Sequence, residues 1–157
     1  MKQLYTKWGR KIDPEHVLQE YPRPLLVREN YTNLNWYWEY AFTEKFREPE
    51  KYEGRILVPF SPESALSGVS RQLKPDEYLW YRRRFRLEKW RERKNRRLLL
   101  HFGAVDQACR VFVNGQPAAR HTGGYLPFSA DITELAAEGG NELVVAVKDL
   151  TETSYHS

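Results

Sequence analysis

The sequence has a single cysteine, Cys109, among 157 residues. It allows no intrachain disulfide and no cysteine-based metal site, and a reducing compartment is the simpler expectation. The N-terminus, Met1 to Trp8, lacks the apolar core of a secretory leader. No stretch approaches the ~20 apolar residues of a membrane span, so a cytoplasmic location with no membrane partner is expected. Charge of one sign is also scarce, 25 Lys and Arg against 21 Asp and Glu, a net of +4. Much of the excess lies in Arg82, Arg83, Arg84 and Arg86 and in Arg91, Arg93, Lys94, Arg96 and Arg97. A solvated hairpin tip has this composition as readily as a phosphate-binding surface does, and a nucleic-acid partner is not expected. No constellation has the spacing of a metal site, and no cofactor is expected. Internal repeats, low-complexity tracts and long amphipathic helices are all missing.

What is present is an ordinary globular composition, 41% hydrophobic and 29% charged, rich in rings with 5 Trp, 10 Tyr and 7 Phe. Such a length suits one domain that buries about two-thirds of its unfolded surface. Residues 1–30 carry Pro14, Pro22 and Pro24 with little periodicity and read as an extended arm, leaving 31–157 as the domain proper. The triplet Asn30-Tyr31-Thr32 is a formal glycosylation sequon that matters only in secreted proteins. From Leu34, the residues Leu34, Trp36, Trp38, Tyr40 and Phe42 alternate with period two, which predicts a strand with that side on a core. After the charged stretch 44–54, the apolar run 55–58 ends at Pro59. The loop from Phe60 to Glu77 follows, long enough to be a functional candidate.

Residues 78–87 form the next predicted strand, with Leu79, Tyr81, Phe85 and Leu87 on one side and Tyr78, Trp80, Arg82, Arg84 and Arg86 on the other. Arg83 interrupts the apolar side, through either a buried carboxylate partner or a bulge. Strands are expected at 97–102, 108–114 and 142–149, and a short helical turn at 131–135. Asn114-Gly115 predicts a type I′ hairpin pairing 111–113 with 116–120. Short strands punctuated by Gly, Pro and Asn imply an all-β, antiparallel sandwich.

Read in order, these segments resemble the N-terminal domain of glycoside hydrolase family 2, which includes β-galactosidases, β-glucuronidases and β-mannosidases. The likeness begins with Tyr21-Pro22-Arg23-Pro24 and with 28–40, where Trp36 stands at a position usually held by glycine. It continues through Val58-Pro59, Glu63-Ser64-Ala65-Leu66-Ser67-Gly68 and Trp80-Tyr81-Arg82. Its most specific part is His101-Phe102-Gly103-Ala104-Val105-Asp106, Val111-Phe112-Val113-Asn114-Gly115 and His121-Thr122-Gly123-Gly124-Tyr125. The resemblance implies a jelly-roll sandwich of the galactose-binding-domain type and a carbohydrate ligand of the β-galactoside or β-glucuronide class. It further implies partnership with the remaining domains of a parent glycosidase. Among those, a (β/α)₈ barrel supplies the two glutamates of a retaining mechanism. These 157 residues offer no assignable carboxylate pair, so the catalytic barrel is expected to be absent from the chain and no catalytic residue is assigned in it.

The resemblance makes Asp149 the leading sugar contact, because a strand-end aspartate of the family reaches a glycone hydroxyl. A carboxylate suits that role by accepting charge-assisted hydrogen bonds. The alternative is a solvated or capping acid. His121 and Tyr125, on the loop with Gly123 and Gly124, face either substrate or barrel, or merely fold a corner. Glu63, Ser64 and Ser67 of the long loop are candidate hydroxyl contacts, although such a loop also satisfies its own backbone. Trp80 is a candidate stacking platform, with core packing the competing use for it and for Trp36 and Trp38. His101 reads as a hydrogen-bonded interior histidine. Three functions follow: a noncatalytic module completing an active-site wall, with an exposed apolar patch; an independent carbohydrate-binding module; and a basic nucleic-acid binder.

Overall fold

The computed structural model describes residues 5–19, 30–92 and 96–149. Eight strands lie along the chain: β1 (Trp36–Thr43), β2 (Gly54–Val58), β3 (Tyr78–Leu87), β4 (Leu99–Phe102), β5 (Ala108–Val113), β6 (Gln116–Thr122), β7 (Phe128–Asp131) and β8 (Gly139–Lys148). The residues divide into two compact units, one of 1–38 with 55–72 and the other of 39–54 with 73–157. The segments Tyr21–Pro24 and Arg28-Glu29 quoted for the resemblance, and Arg93 and Lys94 of the basic run, lie outside the described residues.

In the first unit, short polar side chains close local turns. Asp13 accepts from the Glu15 amide at 2.9 Å and caps the single 3-10 turn Pro14–His16, where a proline costs no hydrogen bond. The expected arm is anchored by Asn33, which donates its side-chain amide to the Leu18 carbonyl at 2.7 Å. Trp38 is buried and donates its indole N–H to the Leu34 carbonyl. Trp36 departs from the expected alternation: it is exposed, with φ of +129°, a region in which a β-carbon is strained and glycine is not. The position where the family usually has glycine is thus one whose backbone favours glycine.

The second unit is the antiparallel sandwich. In its larger sheet the strands run in the order β1-β3-β8-β5-β6, and β4 pairs with β7 in the smaller one. Leu143, Val145 and Val147 of β8 stand opposite Arg83, Tyr81 and Leu79 of β3 and Val113, Val111 and Cys109 of β5. Because opposed residues share a face, this set forms the inner side, and Leu100 and Ala130 are the buried residues of the smaller sheet. A ring stack extends it, Phe102 on Phe128 at 4.6 Å and Phe128 on His121 at 4.3 Å. The pairing of β3 with β8 is unbroken from Leu79 to Leu87, so Arg83 stands on the inner side without a bulge. The bulge falls instead between Val111 and Phe112, next to Pro117, which the edge strand β6 tolerates because its outer N–H positions need no partner.

The outer side of the larger sheet is not simply solvated. Trp80, Val144 and Ala146 are buried there, packed by Tyr52, Tyr78 and Phe112, and the Trp80 indole donates to the Thr43 hydroxyl at 2.8 Å. The charged stretch 44–54 supplies this cover, with Phe46 5.3 Å from Trp80 and Tyr52 under the Arg82 guanidinium at 4.0 Å. Arg82 also forks onto Glu39 at 2.7 and 3.0 Å.

At the hairpin, Asn114 and Gly115 have φ of +51° and +76°, the type I′ geometry predicted for that pair. Asn114 then reaches Asn141, a buried side chain that also accepts from the Ala137 amide and donates to the Ala137 carbonyl. Removing such a hub leaves buried polar groups without partners. Asn141→Ala is expected to lower stability by about 2–3 kcal/mol in urea denaturation, with the m-value unchanged. Burial at Cys109 pushes its thiol up to about 11. A thiol whose folded pKa exceeds its unfolded one stabilises the fold below pH 9 and loses that contribution as pH rises toward 11. Iodoacetamide at pH 8 should therefore leave Cys109 unmodified in native protein and label it within minutes in denaturant, which intact mass will show.

Candidate functional site at one end of the sheet

Strand register decides which of the candidate residues meet. Thr43 stands opposite Tyr78, Lys148 opposite Ala108, and Ala108 opposite Thr122. The end of β1, the start of β3, the end of β8, the start of β5 and the end of β6 therefore share one end of the larger sheet. Asp149, the residue after β8, emerges there beside the turn at Asp106-Gln107 and the loop Gly123–Leu126. Asp149 is half-buried, and the residues that follow it lie outside the described ones.

The glycine loop is built by close approach. The Gly123 amide donates to the Gln107 carbonyl at 2.8 Å, and its φ of +120° belongs to glycine. A β-carbon at Gly124 would collide with the Asp106 carboxylate, 2.7 Å from its Cγ. His121 turns inward, its Nε2 at 3.0 Å from the Gly123 carbonyl and its ring stacked on Phe128, so it folds the corner. The next two side chains turn outward: Tyr125 is 94% exposed and Leu126 69%. A leucine and a tyrosine held in water at the tip of a tightly braced loop form an apolar projection at the same end of the sheet as Asp149.

The other candidates are placed differently. Ser67 is fully buried, its hydroxyl donating to the Ser64 carbonyl at 2.7 Å, with the Pro62 carbonyl 3.2 Å away, and accepting from the Val69 amide. It is a loop brace rather than an exposed hydroxyl, because a buried Ser in a loop satisfies the backbone around it. Ser64 caps the 3-10 turn Ala65–Ser67 by accepting from the Leu66 amide, and Glu63 is exposed on the same loop. These three belong to the first unit and the others to the second. Trp80 is buried in the second unit and presents no stacking face to solvent. His101 is exposed on β4, not interior, with Nδ1 at 2.6 Å from the Ser129 hydroxyl. The exposed tip at Leu126 had no sequence signal, since a lone leucine in a loop has no periodicity.

The basic residues of β3 are largely engaged: Arg84 with Glu142 at 3.2 Å and Arg86 with Glu88 at 2.9 Å. Arg97 likewise reaches Asp131 at 2.9 Å, and Thr133, donating to the Asp131 carboxylate, does most to hold that acid below its ordinary pKa. Among the described residues, no group of three or more His, Cys, Asp and Glu side chains comes together as a metal site. Gly124→Ala is expected to cost about 1–3 kcal/mol by overpacking against Asp106, and to displace the amide resonances of 106–107 and 123–125 while sparing those of 114 and 141.

Comparison with known proteins agrees with this architecture. The family described as "Glycosyl hydrolases family 2, sugar binding domain" matches residues 65–156. A β-galactosidase of Thermoanaerobacter pseudethanolicus is 30% identical over 122 residues, 74% of this chain and 16% of that protein. A β-glucuronidase of Felis catus is 33% identical over 133 residues, 76% of this chain and 20% of its own length. Among solved structures, the Lactobacillus rhamnosus β-glucuronidase superposes with a TM-score of 0.62 at 31% identity, covering 74% of this chain and 20% of that one. The chain thus spans about a fifth or less of each relative. The matched residues run from the loop turn at Ala65 through β8, so the chain belongs to the sugar-binding domain family of the family 2 glycosyl hydrolases.

Proposed function

We propose that this chain is the noncatalytic N-terminal module of a retaining family 2 glycosidase acting on a β-galactoside or β-glucuronide. In this reading it completes one wall of the active site through Asp149 and packs its Tyr125-Leu126 tip against the barrel. The observation that carries the reading is the gathering of Asp149, the Asp106-Gln107 turn and the braced loop 123–126 at one end of a rigid sheet. A carboxylate on a strand end is held in orientation by the strand, and it accepts hydrogen bonds from adjacent sugar hydroxyls without donating any. Exposed Tyr125 and Leu126 beside it match a surface that another domain covers. The acid, base and nucleophile come from carboxylates of the barrel, because glycoside cleavage needs two of them flanking one bond.

The 157-residue chain is expected to give no turnover of chromogenic β-galactosides or β-glucuronides; robust hydrolysis would sink the module reading. Amide shifts in titrations with neutral galactose should be weak and confined to 106–107, 123–126 and 149. Asp149→Asn should abolish them while the amide spectrum away from that end of the sheet stays that of the parent. Tight binding of neutral galactose at a self-contained pocket elsewhere would favour an independent carbohydrate-binding module instead.

A further inference from the structure

The outer side of the larger sheet carries an arrangement that the Asp149 reading does not use. Arg110 of β5 stands directly opposite Arg120 of β6 and opposite Ala146 of β8, while Lys148 stands opposite Ala108, two residues along the same strand pair. All three cations therefore lie on the side that bears Trp80 and Ala146. Like charges facing one another across a strand pair destabilise it, so the Arg110–Arg120 pair is a cost that packing must offset. Among the described residues no carboxylate forms an ion pair with Arg110, Arg120 or Lys148. The strand acids on the same side are engaged further along it, Glu39 by Arg82 at 2.7 Å and Glu142 by Arg84 at 3.2 Å, and Glu48 of the covering stretch accepts from the Tyr52 hydroxyl.

Beneath the cations is an aromatic floor. Phe46 is 39% exposed and packs 5.4 Å from Tyr78 and 5.3 Å from Trp80. The Arg110 guanidinium lies 4.5 Å from the centre of the Phe46 ring, and the Lys148 ammonium 4.7 Å from that of Tyr78. Cation–ring contacts hold these long side chains near the surface and reduce the entropy that a ligand must remove. Two forked guanidinium groups beside a partly exposed ring are the chemistry that recognises a sugar carrying an anion. Arg110 lies over the Phe46 ring, so the exposed rim of the ring meets pyranose C–H groups while each guanidinium takes a carboxylate through parallel N–H donors. A nucleic-acid groove would need its basic track to continue, and on this side the continuation through Arg82 and Arg84 is already neutralised.

We propose that Arg110, Arg120, Lys148 and Phe46 form a second carbohydrate site, on the outer side of the sheet, for an acidic oligosaccharide whose uronate carboxylate is held between the two arginines. The site does not depend on Asp149 and stands or falls separately from it.

Calorimetry and amide NMR with the 157-residue chain test it, using trigalacturonate, neutral galactotriose and a short oligothymidylate as probes. Trigalacturonate should bind and shift the amides of 46, 78, 110, 120 and 148, and should weaken as salt rises from about 20 to about 300 mM. Arg110→Gln with Arg120→Gln should weaken it at least about tenfold, as expected for lost charge-assisted hydrogen bonds. The double variant should melt no lower than the parent, because a like-charge pair has been removed. Arg84→Gln, whose guanidinium is held by Glu142 further along the same side, should leave the affinity unchanged. Equal binding of galactotriose, an affinity indifferent to the double substitution, no detectable binding, or tighter binding of oligothymidylate would each overturn the proposal.

Discussion

The sandwich depends on β8 being buried from both sides. Five consecutive residues, Leu143 to Val147, are each 5% exposed or less, and they pair with β3 on one edge and β5 on the other. Burying such a side chain contributes roughly 1.5–3 kcal/mol relative to leaving it in water. A strand covered on both sides must be covered by different things. The inner side meets the apolar set of a two-sheet core, and the outer side meets rings carried by the chain between β1 and β2. The arrangement of both surfaces, and of the end from which Asp149 emerges, follows from the register fixed by that strand.

Polar groups then specify the corners that apolar packing leaves undetermined. At one end Asn141 collects Asn114 and Ala137, fixing how the β5–β6 hairpin meets the start of β8. At the other, the Gly123 amide on the Gln107 carbonyl and the contact of Gly124 with Asp106 brace the loop whose tip holds Tyr125 and Leu126 outward. A buried hydrogen bond contributes modestly when made and costs more when broken, so these contacts act chiefly by excluding alternative loop paths. That rigidity suits the proposed role of holding a few groups in place for another domain.

Legibility in the sequence followed the strength of local signals. The β3 boundaries, the Asn114-Gly115 turn and the apolar alternation in β8 were all readable, because a period of two and a positive-φ dipeptide have few other uses. In sequence the stretch 44–54 is a charged connector, yet Phe46 and Tyr52 from it cover the outer side of β3. Two rings spaced among charges carry no periodicity to find. Of the two uses open to Ser67, the structure shows the one that satisfies its own loop, and His101, expected in the interior, is exposed, because burial of an isolated polar residue is decided by what packs over it.

By itself the sequence determined the all-β class, the order of the strands and the family to which the chain belongs, since alternation, turn dipeptides and motif blocks are local properties of the chain. Tertiary structure alone decided which residues share a surface. Register across β6, β5, β8 and β3 brought Asp149 beside the 106–107 turn and the 123–126 loop, and set Arg110 against Arg120 over an aromatic floor. Those juxtapositions join residues far apart in sequence, and a shift of one residue in any pairing would have turned each of them to the other side of the sheet.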